Sequence, residues 1–211
     1  MKIADIRKDY IMQALSEADT AEHPIDQFTR WWNEAVDSNI LEPNAMTLST
    51  ATTTGLPAAR IVLLKGYDVN GFVFFTNYLS QKGQNLAQNP QAALTFFWKE
   101  LERQVIIQGT VEKIPEAESE AYFLSRPLGS RIGAWSSPQS SVIAGREILE
   151  ENVQKYTQAF GENVPRPPHW GGYLVKPTSI EFWQGRASRL HDRIRYQLMN
   201  INNWKKERLA P

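Results

Sequence analysis

Five short segments combine residue types that hold anions or move protons. RIVLLK at 60–65 brackets an apolar run with Arg60 and Lys65. A continuous strand would aim these two at opposite faces. Two cations that simply reach water from strand ends would explain the same pattern. Thr76–Lys82 ends a strand in hydroxyls and amides and places Lys82 in the first turn of a helix. Such a turn suits a phosphate, and Ser80 also suits an ordinary N-cap. Tyr122 and Arg126 are four apart, share a helix face, and are followed by Ser130. The three form a sensible set for a phosphate monoester, while an arginine closing a helix C-terminus is the plainer reading. Pro138–Ser141 reads as a loop leading into a helix cap. In the last segment Arg189, His191 and Arg193 share one face of an expected strand beside the aromatic EFWQG at 181–185. Three such groups repel one another unless an anion or a dipole lies there.

The elements that must carry these segments follow from periodicity and punctuation. Helices are expected over 3–18 and 24–38, the second opened by Pro24 with Asp26 in its first turn. Strands are expected over 45–53 and 58–68, then 72–76 after the Asp68–Gly71 turn. A short helix follows over 80–88, closed by Asn89-Pro90. Two more strands span 92–98 and 102–114, and a helix starts at Pro115 and runs to Leu124. Residues 127–141 read as a Gly/Ser/Pro-rich loop, 141–160 as a long helix and 165–172 as a stiff linker. The last strands are expected over 173–185, 190–199 and 204–209, with Asn200–Asn203 as a hairpin turn. At least seven strands joined by short turns argue for antiparallel pairing. A closed or partly closed barrel with peripheral helices removes the exposed edges. His23 and His169 stand beside prolines and read as structural.

Composition narrows the function classes. The chain has 211 residues, 42% hydrophobic and 22% charged, with 12 Gly and 12 Pro, which excludes disorder and collagen-like repeats. No apolar run approaches the ~20 residues of a spanning helix, and the first ten residues are charged where a signal peptide is apolar. A soluble cytoplasmic protein is therefore expected. There is no Cys, and no His, Asp and Glu spacing suggests a metal site. Nucleophile-elbow, Walker and dinucleotide fingerprints are missing. Residues 186–211 hold seven basic and two acidic side chains, net +5, against 16 basic and 21 acidic elsewhere. A small phosphorylated ligand fits this local excess better than nucleic acid, whose steep salt dependence would expose it.

Taken together the segments resemble the pyridoxine (pyridoxamine) 5′-phosphate oxidase family. The matching stretches are RIVLLK at 60–65, LERQV at 101–105, SRP at 125–127, IGAWSSPQSS at 132–141, WGG at 170–172, EFWQG at 181–185, RLHDR at 189–193 and ERLAP at 207–211. They occur in the family's order along essentially the whole chain. The resemblance implies an α+β fold, mainly β: an FMN-binding split β-barrel over 21–211 with an N-terminal lid segment over 1–20. It also implies a homodimer with FMN at the interface, oxidising pyridoxamine and pyridoxine 5′-phosphates with O2 and releasing H2O2.

By the same resemblance the FMN set would be Arg60, Ile61, Val62, Leu63, Leu64, Lys65, Phe75, Thr76, Lys82, Gln104, Gln139, Ser140, Trp183 and Arg193. Lys65, Tyr122, Arg126 and Ser130 would take the substrate phosphate. Arg189, Leu190 and His191 would meet the pyridine ring. Arg7, Lys8, Asp9 and Tyr10 would close over it as a lid. Arg189, His191, Tyr10 and Glu42 would be the catalytic candidates, and no metal is implied. The chain departs from the family at Gln81, commonly Arg, at Glu42, commonly Asp, and at Phe75, commonly Tyr. Residues 13–20 lack the Gly pair and basic cluster of some members, which places a second regulatory product site in doubt. Phenazine-biosynthesis oxidases and non-catalytic flavin-binding proteins share the implied barrel and stay open as alternatives. Turnover of pyridoxamine phosphate separates them.

Overall fold

A computed structural model describes Ile3 and residues 9–211. The candidate lid residues Arg7 and Lys8, and residues 4–8 of the expected first helix, lie outside the described residues. The described residues form nine antiparallel strands and five α-helices.

The first helix, α1 (Pro24–Asp37), is capped by His23, whose Nδ1 accepts the Ile25 N–H at 3.3 Å. Its buried face, Ile25, Phe28, Trp31 and Ala35, plugs the barrel. Phe28 is fully buried and meets Tyr67, Phe72 and Phe96 with ring centroids 4.8, 4.9 and 5.4 Å away. Edge-on and tilted contacts of this kind suit aromatic quadrupoles.

Strands β1 (Ala45–Ala51), β2 (Pro57–Leu63), β3 (Gly66–Asp68) and β4 (Gly71–Asn77) follow. The single strand expected over 58–68 is broken at Leu64–Lys65. β2 pairs β1, whereas β3 pairs β4. At the break Leu64 N–H donates to Asn44 O and Lys65 N–H to Val73 O, each at 2.8 Å. The chain thus crosses from one flank of the sheet to the other, and the sheet curls toward closure.

Helix α2 (Gln81–Gln88) leads to β5 (Gln91–Trp98) and β6 (Arg103–Lys113). Strict alternation puts Leu94, Phe96, Val105 and Ile107 inside. Helices α3 (Glu116–Ser125), α4 (Leu128–Ser136) and α5 (Glu147–Phe160) then form a flank. The stretch expected as a loop over 127–141 is largely α4. Pro127 supplies the extended entry residue, and Ile132 and Ser136 bury the inner face. The glycines that suggested a loop, Gly129 and Gly133, sit where a Cβ would meet nothing. Helix α5 begins six residues later than its expected start at 141.

The long strand β7 (Trp170–Gln184) starts inside the expected linker. One of its edges pairs β6; the other is shared by β4 at its first half and β8 (Asp192–Asn200) at its second. This division splits the barrel. Strand β9 (Asn203–Arg208) completes it beside β8. β8 begins at Asp192, because Ser188 and Arg189 adopt left-handed φ of 59° and 61°. The expected single strand face of Arg189, His191 and Arg193 therefore does not exist.

Residues 9–18 are irregular rather than helical, and side chains hold them to the barrel. Glu102 accepts the N–H groups of Ile11 and Met12, Asp192 accepts that of Leu15, and Arg103 bonds Gln13.

Candidate active site

A cleft of about 490 Å³ opens beside β2, β4, the start of α2 and helices α3 and α4. The strip Ile61–Leu63 forms one wall, with Lys65 at its end. Thr76 and Lys82 line it beside α2, and Tyr122, Arg126 and Ser130 beside α3 and α4, with Phe75 stacked against Tyr122; Gln139 reaches in from the loop before α5. Eleven expected site residues thus converge although they span 79 positions.

Around Lys82 the donors are ordered by hydrogen bonds. Ser80 Oγ caps α2 by accepting from Gly83 N–H at 3.4 Å, and Lys82 Nζ donates to Gln139 Oε1 at 3.1 Å. Thr76 Oγ1 donates to the same amide oxygen at 3.4 Å. Lys82 is 9% exposed, and burial, then the charge of Arg60, pushes its ammonium below the ordinary lysine range. Burial also lowers Arg60, whose Nη1 donates to Leu48 O and Thr50 Oγ1. Two desolvated cations beside each other, with no carboxylate between them, favour an anionic guest. A flavin phosphate fits these donors, and the strip Ile61–Leu63 offers backbone and apolar surface to a flat ring.

The surroundings of Arg126 desolvate a cation as well. Arg126 Nη1 is buried without a hydrogen-bond partner among the described residues, and burial lowers this guanidinium too. Its plane lies 4.6 Å over the Trp170 ring.

A second group lies on the outer face of β6, β7 and β8. Gln104, Trp183 and Arg193 are in register across three strands. Trp183 and His191 have centroids 4.6 Å apart, and Tyr10 stands edge-on to Trp183 at 5.7 Å. His191 Nδ1 accepts the Arg186 N–H at 3.1 Å, which leaves Nε2 as the proton-bearing nitrogen. Arg193 is paired in fork geometry with Glu181 at 2.8 and 3.0 Å, and the Glu181 hydrogen bond raises its already high pKa.

Other expected residues stand apart from the cleft. Leu64 points into the core, Ser140 is exposed at φ 72°, and Glu42 is exposed in a left-handed turn before β1. Asp9, Arg189 and Leu190 are exposed. Glu17, Glu22 and Glu181 from outside the segment pair with part of the net +5 of 186–211, while Asp192 and Glu207 pair within it. Among those seven cations only Arg189 makes no ion pair with a described residue. Asn77, Pro127 and Trp170 line the cleft and were not among the expected site residues. The WGG motif marked Trp170, but nothing in its spacing linked it to Arg126.

Architecture and cleft together define a split β-barrel protein with a cleft lined by Lys65, Lys82 and Arg126. Residues 32–160 match the family described as pyridoxamine 5′-phosphate oxidase, and 170–211 the pyridoxine 5′-phosphate oxidase C-terminal dimerisation region. The chain belongs to the pyridoxamine 5′-phosphate oxidase family. It is 57% identical over 210 residues to the pyridoxine/pyridoxamine 5′-phosphate oxidase of Cupriavidus necator, covering 100% of this chain and 99% of that one. It is 59% identical over 209 residues to the protein of that name from Polynucleobacter asymbioticus, covering 99% of each. Among solved structures, PhzG from Burkholderia lata 383, in complex with tetrahydrophenazine-1-carboxylic acid, is 31% identical with TM-score 0.88, covering 95% of this chain and 99% of that one. A pyridoxamine 5′-phosphate oxidase-related, FMN-binding protein from Nostoc punctiforme shares the fold at 17% identity and TM-score 0.72, covering 91% and 100%. No described helix is long and apolar enough to cross a membrane.

Proposed function

We propose that the chain oxidises pyridoxamine 5′-phosphate and pyridoxine 5′-phosphate to pyridoxal 5′-phosphate, with FMN as cofactor and O2 as acceptor. The observation that carries this reading is a single cleft lined by the buried Lys82, with the half-buried Arg60 beside it, and by the half-buried Arg126 with Tyr122 and Ser130, none of these cations being ion-paired among the described residues. Two phosphate monoesters, one on the cofactor and one on the substrate, need that arrangement. The full-length relationship to oxidases of that name supports it.

The chemistry that FMN supplies when bound is acceptance of a hydride and reoxidation by dioxygen, yielding hydrogen peroxide. The chain's own groups bind, orient and polarise. Lys82, Arg60 and Thr76 hold the cofactor phosphate, and Ile61–Leu63 and Phe75 border its ring. Lys65, Tyr122, Arg126 and Ser130 hold the substrate phosphate. The Gln104–Trp183–Arg193 row and the Tyr10–His191 pair lie on another face of the same chain. In this reading a second copy brings that face to the cleft, so the homodimer has two composite sites. Nε2 of His191 then donates a hydrogen bond to the substrate, Arg189 adds a cation unclaimed by any carboxylate among the described residues, and Tyr10 excludes water.

The test is a visible absorbance spectrum of the protein supplied with FMN, before and after anaerobic addition of pyridoxamine 5′-phosphate. Bleaching that reverses on admitting air is the expected result, with ammonia and pyridoxal 5′-phosphate released. A flavin spectrum that does not bleach would overturn the substrate, and a protein that retains no flavin would overturn the site.

A further inference from the structure

We propose that Trp170 is a positioning residue, which aims Arg126 and Tyr122 at the substrate phosphate through its aromatic faces. The proposal rests on the assignment of Arg126, Tyr122 and Ser130 to that phosphate. Trp170 is 7% exposed, opens strand β7 and lines the cleft. Its backbone is fixed on both sides, because Trp170 N–H donates to Pro167 O at 3.0 Å and Trp170 O accepts Arg166 Nη1 at 2.6 Å.

Three rings lie nearly parallel here. Phe75 stacks on Tyr122 at 3.9 Å and 22°, and on Trp170 at 5.4 Å and 14°. Tyr122 and Trp170 are themselves within 9° of parallel. The Arg126 guanidinium lies 4.6 Å from the Trp170 centroid. One indole therefore meets the cation, which Phe123 also meets at 5.6 Å, and, through Phe75, the phenol.

The use of a ring rather than a carboxylate has a chemical consequence. Arg103, Arg166 and Arg193 are held by Glu34, Glu120 and Glu181, which occupy their N–H groups and cancel their charge. A π-face attracts a guanidinium from above and leaves its in-plane N–H donors free. Arg126 Nη1 is buried with no hydrogen-bond partner among the described residues. That donor is oriented without being spent, as bidentate recognition of a phosphate requires.

The experiment compares wild type with Trp170→Leu and Trp170→Phe, all loaded with FMN. For Trp170→Leu the KM for pyridoxamine 5′-phosphate is expected to rise about tenfold, the scale of a lost partly buried cation–π contact. Its kcat, measured on the FMN-loaded protein, should stay within about twofold of wild type. Binding of pyridoxal 5′-phosphate should weaken by the same factor, while binding of pyridoxal, which lacks the phosphate, should not change. Trp170→Phe, with a smaller face in the same place, should give an intermediate rise of about threefold. It also serves if the leucine variant does not fold. An unchanged KM in the phenylalanine variant, or equal weakening for pyridoxal and its phosphate, would overturn the proposal. A wild type that fails to turn over pyridoxamine 5′-phosphate would instead sink the functional reading beneath it.

Discussion

Lys82 Nζ donates to Gln139 Oε1 across 3.1 Å, joining the first turn of α2 to a loop 57 residues further along the chain. The lysine is buried and the glutamine exposed, so the amide is the partner free to yield to a stronger acceptor. Lys82→Met should therefore move two quantities in opposite directions. FMN affinity should fall about ten- to a hundredfold, the scale of a charge-assisted hydrogen bond. The flavin-free protein should melt no lower than wild type, because a desolvated cation beside Arg60 has been removed. Titration with FMN and thermal melts of both forms check this, and a large fall in the flavin-free melting temperature would contradict it.

Gly83→Ala in the same helix should destabilise, against the usual rule. Alanine normally gains roughly 1 kcal/mol over glycine inside a helix. Here a Cβ would stand 2.1 Å from the Tyr78 carbonyl oxygen and 2.5 Å from its carbon. Backbone on both sides cannot give way without moving Lys82. Lower thermal stability together with weaker FMN binding is expected, and a gain in stability would refute the placement of α2.

Arg103 is 3% exposed and bonds Gln184 at 2.9 Å and Glu34, while its guanidinium stacks 4.4 Å over Trp31. Arg103→Ala breaks contacts to α1, β7 and the Gln13 segment at once. A loss of about 3 kcal/mol is expected from stranding buried polar partners. Urea denaturation should show a lower midpoint with an unchanged slope.

The segment carrying Tyr10 should come loose only in strong acid. Arg208 donates to both Glu17 carboxylate oxygens, and that hydrogen bond above all holds Glu17 down to about 2. Burial alone would raise the Asp192 carboxyl, but the Leu15 N–H and the Arg208 and Arg186 contacts outweigh it and lower it. Both carboxyls are depressed in the folded state, so their stability is present above the ordinary carboxylate values and lost in acid, the Glu17 part as pH falls from 4.5 toward about 2. The Leu15 amide resonance should hold its position through the ordinary aspartate range and shift only at lower pH. In Arg208→Gln the shift should begin at higher pH.

How much of this was legible in the sequence depended on the separation of the partners. The α2 cradle was, because Ser80, Lys82 and Thr76 lie within one local turn. So was the barrel, whose hairpins alternate plainly from β5 to β6. Arg193 shows the other case. Its charge suggested an anion contact, but Glu181 lies opposite it only through the β7–β8 pairing. Residues 190–193 misled because two left-handed residues, Ser188 and Arg189, delay the strand, and non-glycine φ of that sign has no periodic signature. Trp170 was missed as a cleft residue because its contact with Arg126 spans two elements with no shared period.

The division of β7 between β4 and β8 also governs how the chain finds its structure. During synthesis β4 and β6 are complete long before residues 170–184 emerge, with α3, α4 and α5 still to come between them. Until then two apolar strands present unpaired edges to neighbouring molecules. Joining them requires one distant segment to dock on both, a non-local and therefore slow event. Refolding yield should accordingly fall as protein concentration rises, since capture by β7 competes with capture by another chain.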